Sequence, residues 1–227
     1  ALSRSQDVAR MLQDRGLTAE FVAPRLWFDD RTIDGGFTSN RESDRQYAIA
    51  RSRRAVDIAR ELGTSNLVLW LAREGTYTRE SKNARIANLR ILEAINQILA
   101  YDSDINIWIE PKPNEPVDHT YVPTIGHAIA MAYASDDPSR VSGLIETAHA
   151  QLAGLDPSDE MAFALAHGKL ASVHLNDQNG MKFDQDKSFG SVNLRGAFNQ
   201  VRVLEEAGFG QRGEFVGLDI KVMRTLG

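Results

Sequence analysis

A regular alternation of short apolar runs with longer amphipathic segments restricts the fold of this chain more than any other feature. Six runs read as strands: Glu20 to Ala23, Asn66 to Leu71, Ile105 to Glu110, Gly143 to Glu146, Leu170 to Leu175 and Phe215 to Asp219. Between them, Arg41 to Leu62, Ser81 to Ala100, Val122 to Ala134, Ser158 to His167 and Val192 to Ala207 carry apolar residues at helical spacing, and a further amphipathic segment, Ser3 to Gln13, precedes the first run. A strand followed by a helix returns the chain to the starting end of its sheet, so repeated units of this kind build a parallel sheet with helices on its outer face. No linker rich in Gly, Ser or Pro divides the sequence, and one domain over residues 1–227 is expected.

Six units fall short of the eight that close a (β/α)8 barrel. The first residue is not methionine, and a helix-like segment comes before the first strand, so the expectation is a barrel that lacks its N-terminal part. The 227 residues, 42% hydrophobic and 25% charged, suit a globular protein with a substantial core. No apolar run approaches the ~18 residues of a membrane span. The start, Ala1-Leu2-Ser3-Arg4-Ser5-Gln6-Asp7, lacks the apolar stretch of a signal peptide, which makes the cytoplasm the expected compartment and a membrane partner unexpected. With no cysteine, disulfides, thiol catalysis and cysteine-ligated zinc are excluded, and any metal must use oxygen and imidazole. A net charge of -5 without a long basic block argues against a nucleic-acid partner; the cluster Arg51-Ser52-Arg53-Arg54 reads as a solvated helix face.

Chemistry concentrates where the runs end. After Ile105-Asn106-Ile107-Trp108-Ile109 comes Glu110-Pro111-Lys112-Pro113-Asn114-Glu115-Pro116, whose prolines deny it both a helix and an inner ladder position. The strand must stop near Glu110 and pass into a stiff loop carrying two carboxylates and an ammonium. Glu146, His174, the pair Asp184 and Asp186, and Asp219 also stand at run ends or in the loops that follow. In a parallel barrel those ends converge on one face. If the chain turns helical after Glu146, then His149, three residues on, points the same way. The spacing of two in Asp184-Gln185-Asp186 puts both carboxylates on one side of an extended loop. Each piece also has an ordinary reading as a surface pair or solvated turn, and Asn176-Asp177-Gln178-Asn179-Gly180 is turn chemistry in its own right. Their conjunction at successive strand ends points instead to a site for divalent ions. An oxygen-rich set with two imidazoles suits Mg²⁺, Mn²⁺ or Co²⁺ better than a closed structural zinc site.

From about Leu12 to Thr225 the chain resembles the xylose isomerase family of metal-dependent aldose-ketose isomerases. The resemblance rests on Asp34-Gly35-Gly36-Phe37-Thr38-Ser39-Asn40, Trp70 with Arg73-Glu74-Gly75, Glu110 to Pro116, Pro123-Thr124-Ile125-Gly126-His127, Leu175-Asn176, Phe183-Asp184-Gln185-Asp186 and Asp219-Ile220-Lys221. It implies a (β/α)8 TIM barrel with about six of its eight units in this chain, and two divalent ions. By resemblance, Glu110, Glu146, His174 and Asp219 hold the substrate-binding ion, and Glu146, His149, Asp184 and Asp186 the catalytic one. Lys112 is similar to the lysine that polarises the sugar carbonyl, Trp70 to the tryptophan beside the hydride path, and Trp27 stands where the family usually has phenylalanine against the sugar. Lys112, Trp70 and Asp186 are the implied catalytic residues; Trp27, Trp70 and Lys112 are the implied substrate contacts. The implied reaction moves a hydride between C1 and C2 of an open-chain sugar in a homo-oligomer, a dimer or tetramer.

Two departures qualify that expectation. His174 stands where the family has aspartate, which is more similar to L-rhamnose isomerases and neighbouring epimerases. The family's ring-opening histidine belongs to an early strand that has no counterpart here, and His119, His127 and His167 match other positions. A sugar epimerase of the same superfamily, or a sugar- or metal-binding barrel without turnover, therefore stands beside the isomerase.

Overall fold

The structure is a computed structural model that describes residues 4–180 and 182–221. Ser3, expected to open the first helix, and the residues after Lys221, over which the resemblance runs to Thr225, lie outside that range. Helix α1 (Ser5–Gln13) precedes α2 (Glu42–Leu62), β1 (Asn66–Trp70), β2 (Gly75–Thr76), α3 (Ala84–Tyr101), β3 (Asn106–Glu110), β4 (His119–Thr120) and α4 (Ile125–Ala134). The chain continues through β5 (Val141–Glu146), α5 (Thr147–Leu152), α6 (Pro157–Ala166), β6 (Leu170–Leu175), α7 (Leu194–Glu206) and β7 (Phe215–Leu218). Strands β1, β3, β5, β6 and β7 form one parallel sheet in that order. The run Glu20 to Ala23 joins it only at Val22, which bridges to Leu67 of β1. Pro24 has no N–H to continue the ladder, and Arg25 turns away with φ of 50°. The short antiparallel pair of β2 and β4 was not foreseen from the sequence.

Strand periodicity sorts the sheet into two faces. Val68, Trp108 and Leu144 pack with Phe21 and Ala171 on one side. The intervening residues Leu67, Leu69, Ile107, Ile109, Ile145 and Val173 join the larger core with Val56 of α2, Ile91 and Ile95 of α3, Ile129 of α4 and Met161 of α6. Two residues beyond each inner position come Trp70, Glu110 and Glu146, and His174 shares the parity of Ser172, so the side chains at the carboxyl ends of these strands face inward.

The sheet is curled. Ser172 of β6 donates to Glu20 at 2.7 Å, although four ladder steps of ~4.8 Å would separate these strands in a flat sheet. This is a partial (β/α)8 barrel with its helices outside.

Helix starts follow their caps. Asn83 accepts from Ile86 N–H, Asp156 from Ser158 N–H and Asn193 from Gly196 N–H, which moves α3 and α7 a few residues inside the segments expected from periodicity. Helix α4 begins at Ile125 rather than Val122 because Pro123 intervenes. Of the basic cluster on α2, Arg51 donates to the Pro24 carbonyl, Arg53 lies 5.5 Å over the Tyr101 ring and Arg54 pairs with Asp57 and Glu61. No helix among the described residues is long and apolar enough to cross a membrane.

The segment Asp34–Asn40 owes its sequence to a buried latch. The Glu74 carboxylate accepts from the N–H groups of Gly36, Phe37 and Thr38 at 2.9–3.0 Å and from the Thr38 hydroxyl at 2.7 Å. Lys82, also buried, pairs with Asp34 at 3.3 Å and donates to the Gly75 carbonyl. Gly35 adopts φ of 87°, and a Cβ there would meet Thr38 Oγ1 at 2.3 Å, so no other residue fits. The latch fixes the turn after β1, including Arg73.

Candidate functional site

At the carboxyl ends of the strands lies a cavity of about 510 Å³. All the residues singled out from sequence line it: Trp27, Trp70, Glu110, Lys112, Glu146, His149, His174, Asp184, Asp186 and Asp219. They converge because β1 and β3 pair Trp70 with Glu110, and β5 and β6 pair Glu146 with His174. The chain does turn helical after Glu146, and α5 carries His149 back over the strand end. Gly217, opposite His174 on β7, must be small, since a Cβ there would lie 2.9 Å from the imidazole.

The loop of Asp184 and Asp186 reaches the cavity differently from the extended form expected. Asp186 has φ of 45°, so a left-handed kink rather than strand alternation turns both carboxylates inward. Asp184 N–H donates to Glu115, and Lys221 pairs with Asp186.

Ligand-type atoms gather in three groups that all include Glu146: with Glu110 and His149, with His174 and Asp219, and with Asp184 and Asp186, each group within 4.8 Å. Glu110 thus groups with Glu146 and His149, and of the set assigned to it by resemblance it shares a group with Glu146 but not with His174 and Asp219. His149 Nε2 lies 3.1 Å from Asp184 Oδ2 and 3.3 Å from Glu146 Oε2, while its Nδ1 lies 3.6 Å from Glu110. His149 Nδ1, His174 Nδ1 and Asp184 Oδ1 are buried without a hydrogen-bond partner. Buried lone pairs without partners, amid carboxylates, fit a divalent cation better than any packing role.

Without a cation the cluster is electrostatically stressed. Burial pushes the Glu110 carboxyl up to about 7; a hydrogen bond to Glu146 opposes the shift, and the charges of Asp219 and Asp184 add to it. Burial also drives Glu146 well above the usual range against the attraction of His149. Asp186 is raised by burial and by Asp184. For Asp184 burial works upward, but His149 and Lys112 outweigh it and hold the carboxyl below its ordinary value. Burial lowers His174 against the pull of Glu20 and Asp219, which favours neutral imidazole, the form that ligates metals.

Lys112 is buried in the cavity wall. Its Nζ donates to Asp184 at 2.8 Å and Glu115 at 3.3 Å and lies 5.2 Å from the Trp70 ring centre. Trp27 meets Trp70 edge-on at 4.6 Å, giving the cavity one aromatic wall, to which Phe21 also contributes.

Sequence reasoning treated Asn176 as part of a turn and assigned it no role at the site. Its Nδ2 donates to Glu146 Oε1 at 2.8 Å and to the Asp219 carbonyl at 3.0 Å, while its Oδ1 accepts from the Thr147 hydroxyl and Ala148 N–H. One buried amide therefore ties the ends of β5 and β6 to the start of α5 and to Asp219. A polar residue directly after a strand whose penultimate residue is ligand-type was the available signal. Asn176→Ala is expected to lower the unfolding free energy by about 2–4 kcal/mol in urea titrations and to weaken Mn²⁺ binding ~10–100-fold. A loss below ~1 kcal/mol with unchanged Mn²⁺ affinity would mean that Asn176 does not position Glu146.

A family model described as xylose isomerase-like TIM barrel matches residues 2–210. Among solved structures, the chain is similar to 3-keto-D-glucoside 4-epimerase from E. coli, with a TM-score of 0.70 and 14% identity over 97% of this chain and 79% of that one. It is also similar to D-psicose 3-epimerase from Clostridium cellulolyticum, crystallised with D-tagatose, with a TM-score of 0.68 and 14% identity over 96% and 70% of the two chains. A third similar structure, the IOLI protein with a bound zinc atom, has a TM-score of 0.66 and 14% identity over 96% and 73%. Likeness at such identities concerns the fold, whereas the family match spans nearly the whole sequence. With its curled parallel sheet, outer helices and cavity at the strand ends, the chain belongs to the xylose isomerase-like TIM barrel family.

Proposed function

We propose that this chain is a metal-dependent aldose-ketose isomerase that moves a hydride between C1 and C2 of an open-chain sugar. The observation that carries the reading is the buried Lys112 ammonium, held at 2.8 Å from Asp184 within a cavity where three ligand groups share Glu146. Glu110, Glu146, His174 and Asp219 would hold one divalent ion, and Glu146, His149, Asp184 and Asp186 a second. When bound, such ions supply Lewis-acid polarisation of the substrate oxygens. Lys112 adds a fixed positive charge beside the oxygen on which negative charge develops. Trp27 and Trp70 wall the cavity on its apolar side, orienting the carbon chain and keeping water from the migrating hydrogen. Pro111 and Pro113 on either side of Lys112 stiffen the loop that carries it.

A second reading, an epimerase working by proton transfer with two acidic acid-base residues, is supported by the carboxylates gathered around Glu146 and by the sugar epimerases among the similar structures. The two readings separate by isotope. With Mg²⁺ or Mn²⁺ and a panel of aldoses and ketoses in D₂O, a hydride shift gives a ketose with no solvent deuterium at C1 from an aldose, and an aldose with none at C2 from a ketose. An epimer carrying solvent deuterium at the inverted carbon would replace the isomerase with the epimerase, deuterium at C1 of a ketose would replace the hydride shift with proton transfer, and no turnover of any sugar would leave a binding barrel.

The expectations of a cytoplasmic protein and of a homo-oligomer belong to the same proposal. Association is supported by the exposure of Leu194 and Phe198 on α7 and Val216 and Leu218 on β7.

A further inference from the structure

We propose that Arg73 is the recognition site for a carboxylate on the substrate, so that the sugar handled in this cavity is a sugar acid; this rests on the sugar-isomerase reading above. Three cationic side chains line the cavity, Arg73, Lys112 and Lys221. Lys112 is paired with Asp184 and Lys221 with Asp186. Among the described residues the Arg73 side chain makes neither a hydrogen bond nor an ion pair, and its Nε is shut off from solvent without a partner. Elsewhere in the chain Arg60 is satisfied by Asp102, and Arg140 by Asp137 and the carbonyls of Asp102 and Ile105, while Arg53, whose Nε is likewise shut off without a hydrogen-bond partner, lies over the Tyr101 ring. A guanidinium stays charged at any ordinary pH, so leaving one partly buried and unpaired is unfavourable unless a ligand completes it.

Its backbone is not free to adapt. Glu74 N–H donates to Leu71 and Gly75 N–H to Arg73 itself, and the Glu74 carboxylate is locked to the Gly36–Thr38 loop by four hydrogen bonds. Arg73 stands on the loop after β1, whereas the ligand-type side chains come from β3, β5, α5, β6, the loop of Asp184 and Asp186, and the end of β7. The reacting end of an open-chain sugar and its charged end would thus be held by different parts of the wall. A cavity of about 510 Å³ has room for a six-carbon chain.

The planar fork of Arg73 matches a carboxylate with two parallel hydrogen bonds. Phosphate would match it too, but six carboxylates, Glu110, Glu115, Glu146, Asp184, Asp186 and Asp219, also line the cavity. A phosphate monoester carries nearly twice the charge of a carboxylate and meets correspondingly more repulsion there.

The test uses unreactive open-chain polyols and calorimetric binding to the Mn²⁺-loaded protein, so it does not depend on turnover. A six-carbon aldonate is expected to bind about ten- to a hundredfold tighter than the corresponding neutral alditol. Arg73→Met should abolish that advantage and leave alditol binding unchanged, which also shows the variant to be folded; Arg73→Lys should keep part of it. An advantage that survives Arg73→Met places the carboxylate elsewhere and overturns the proposal, as does an alditol phosphate that binds more tightly than the aldonate. Equal binding of alditol and aldonate removes the role of Arg73 but leaves the sugar site standing. Failure of all three polyols to bind removes both.

Discussion

Lys112→Met is expected to lower kcat/KM for isomerisation by ~10²–10³, the effect of deleting one preorganised donor at a developing oxyanion. The structure sharpens what should happen to the metals. Lys112 Nζ lies 2.8 Å from Asp184 Oδ2, so in the resting site it neutralises a carboxylate that is itself a candidate ligand. Methionine fills similar space but frees that carboxylate, so Mn²⁺ affinity should hold or rise while turnover collapses. Two other outcomes are informative. Equal turnover by the variant on an open-chain substrate would leave Lys112 as a structural counter-ion to Asp184 and Glu115. A collapse of Mn²⁺ binding along with activity would mean that the ammonium organises the ligand loop rather than the substrate. Titrating Mn²⁺ by its electron paramagnetic signal, alongside the kinetics, separates these cases.

The site was more legible in the sequence than the sheet that carries it. Glu110, Lys112 and Glu146 could be placed because prolines and a β-to-helix switch fix where strands end, and strand ends in a parallel sheet meet by topology. The run Glu20 to Ala23 was read as a full strand, yet Pro24 and the left-handed Arg25 cut it to one bridge at Val22. Helix starts were blurred by a few residues because apolar spacing continues into the capping residue, as at Asn83 and Asn193. Asp184 and Asp186 were expected on one side of an extended loop; they share the cavity through a left-handed kink at Asp186, which no spacing rule encodes. Asn176 and the residues of the Glu74 latch stand in the motifs that carry the resemblance, but their contacts were missed for a common reason. Each acts on backbone N–H groups or on a carboxylate more than twenty residues away, and such partners leave no local periodicity to read.

Stability gives the second large effect, and its sign depends on the metal. Glu110 is fully buried with its carboxyl pushed up to about 7 from 4.5, chiefly by loss of hydration. Between these values the metal-free folded protein holds a proton that the unfolded chain has already released, so raising the pH favours unfolding. At ~1.4 kcal/mol per pH unit the loss across that window is about 3 kcal/mol. The shift of Glu146, also upward, adds in the same direction, whereas Asp184, held down by His149 and Lys112, gives stability that is lost as the pH falls. Replacing Glu110 or Glu146 by glutamine removes a charge that the metal-free fold tolerates poorly. The difference in Tm between variant and unchanged protein, measured with chelator present, is therefore expected to grow from pH ~4.5 to ~7 and to favour the variant by several degrees at neutral pH. Added Mn²⁺ should reverse the order. It supplies the missing positive charge to the intact cluster and raises its Tm, while Glu146→Gln, lacking the carboxylate common to all three ligand groups, should gain almost nothing and Glu110→Gln only part. A glutamine variant that is less stable than the unchanged protein at pH 8 with chelator, and equally stabilised by Mn²⁺, would show that these buried carboxylates are ordinary structural groups. The expected crossing of the two Tm curves would mark a cluster that is unfavourable for the fold alone and is offset when an ion is bound.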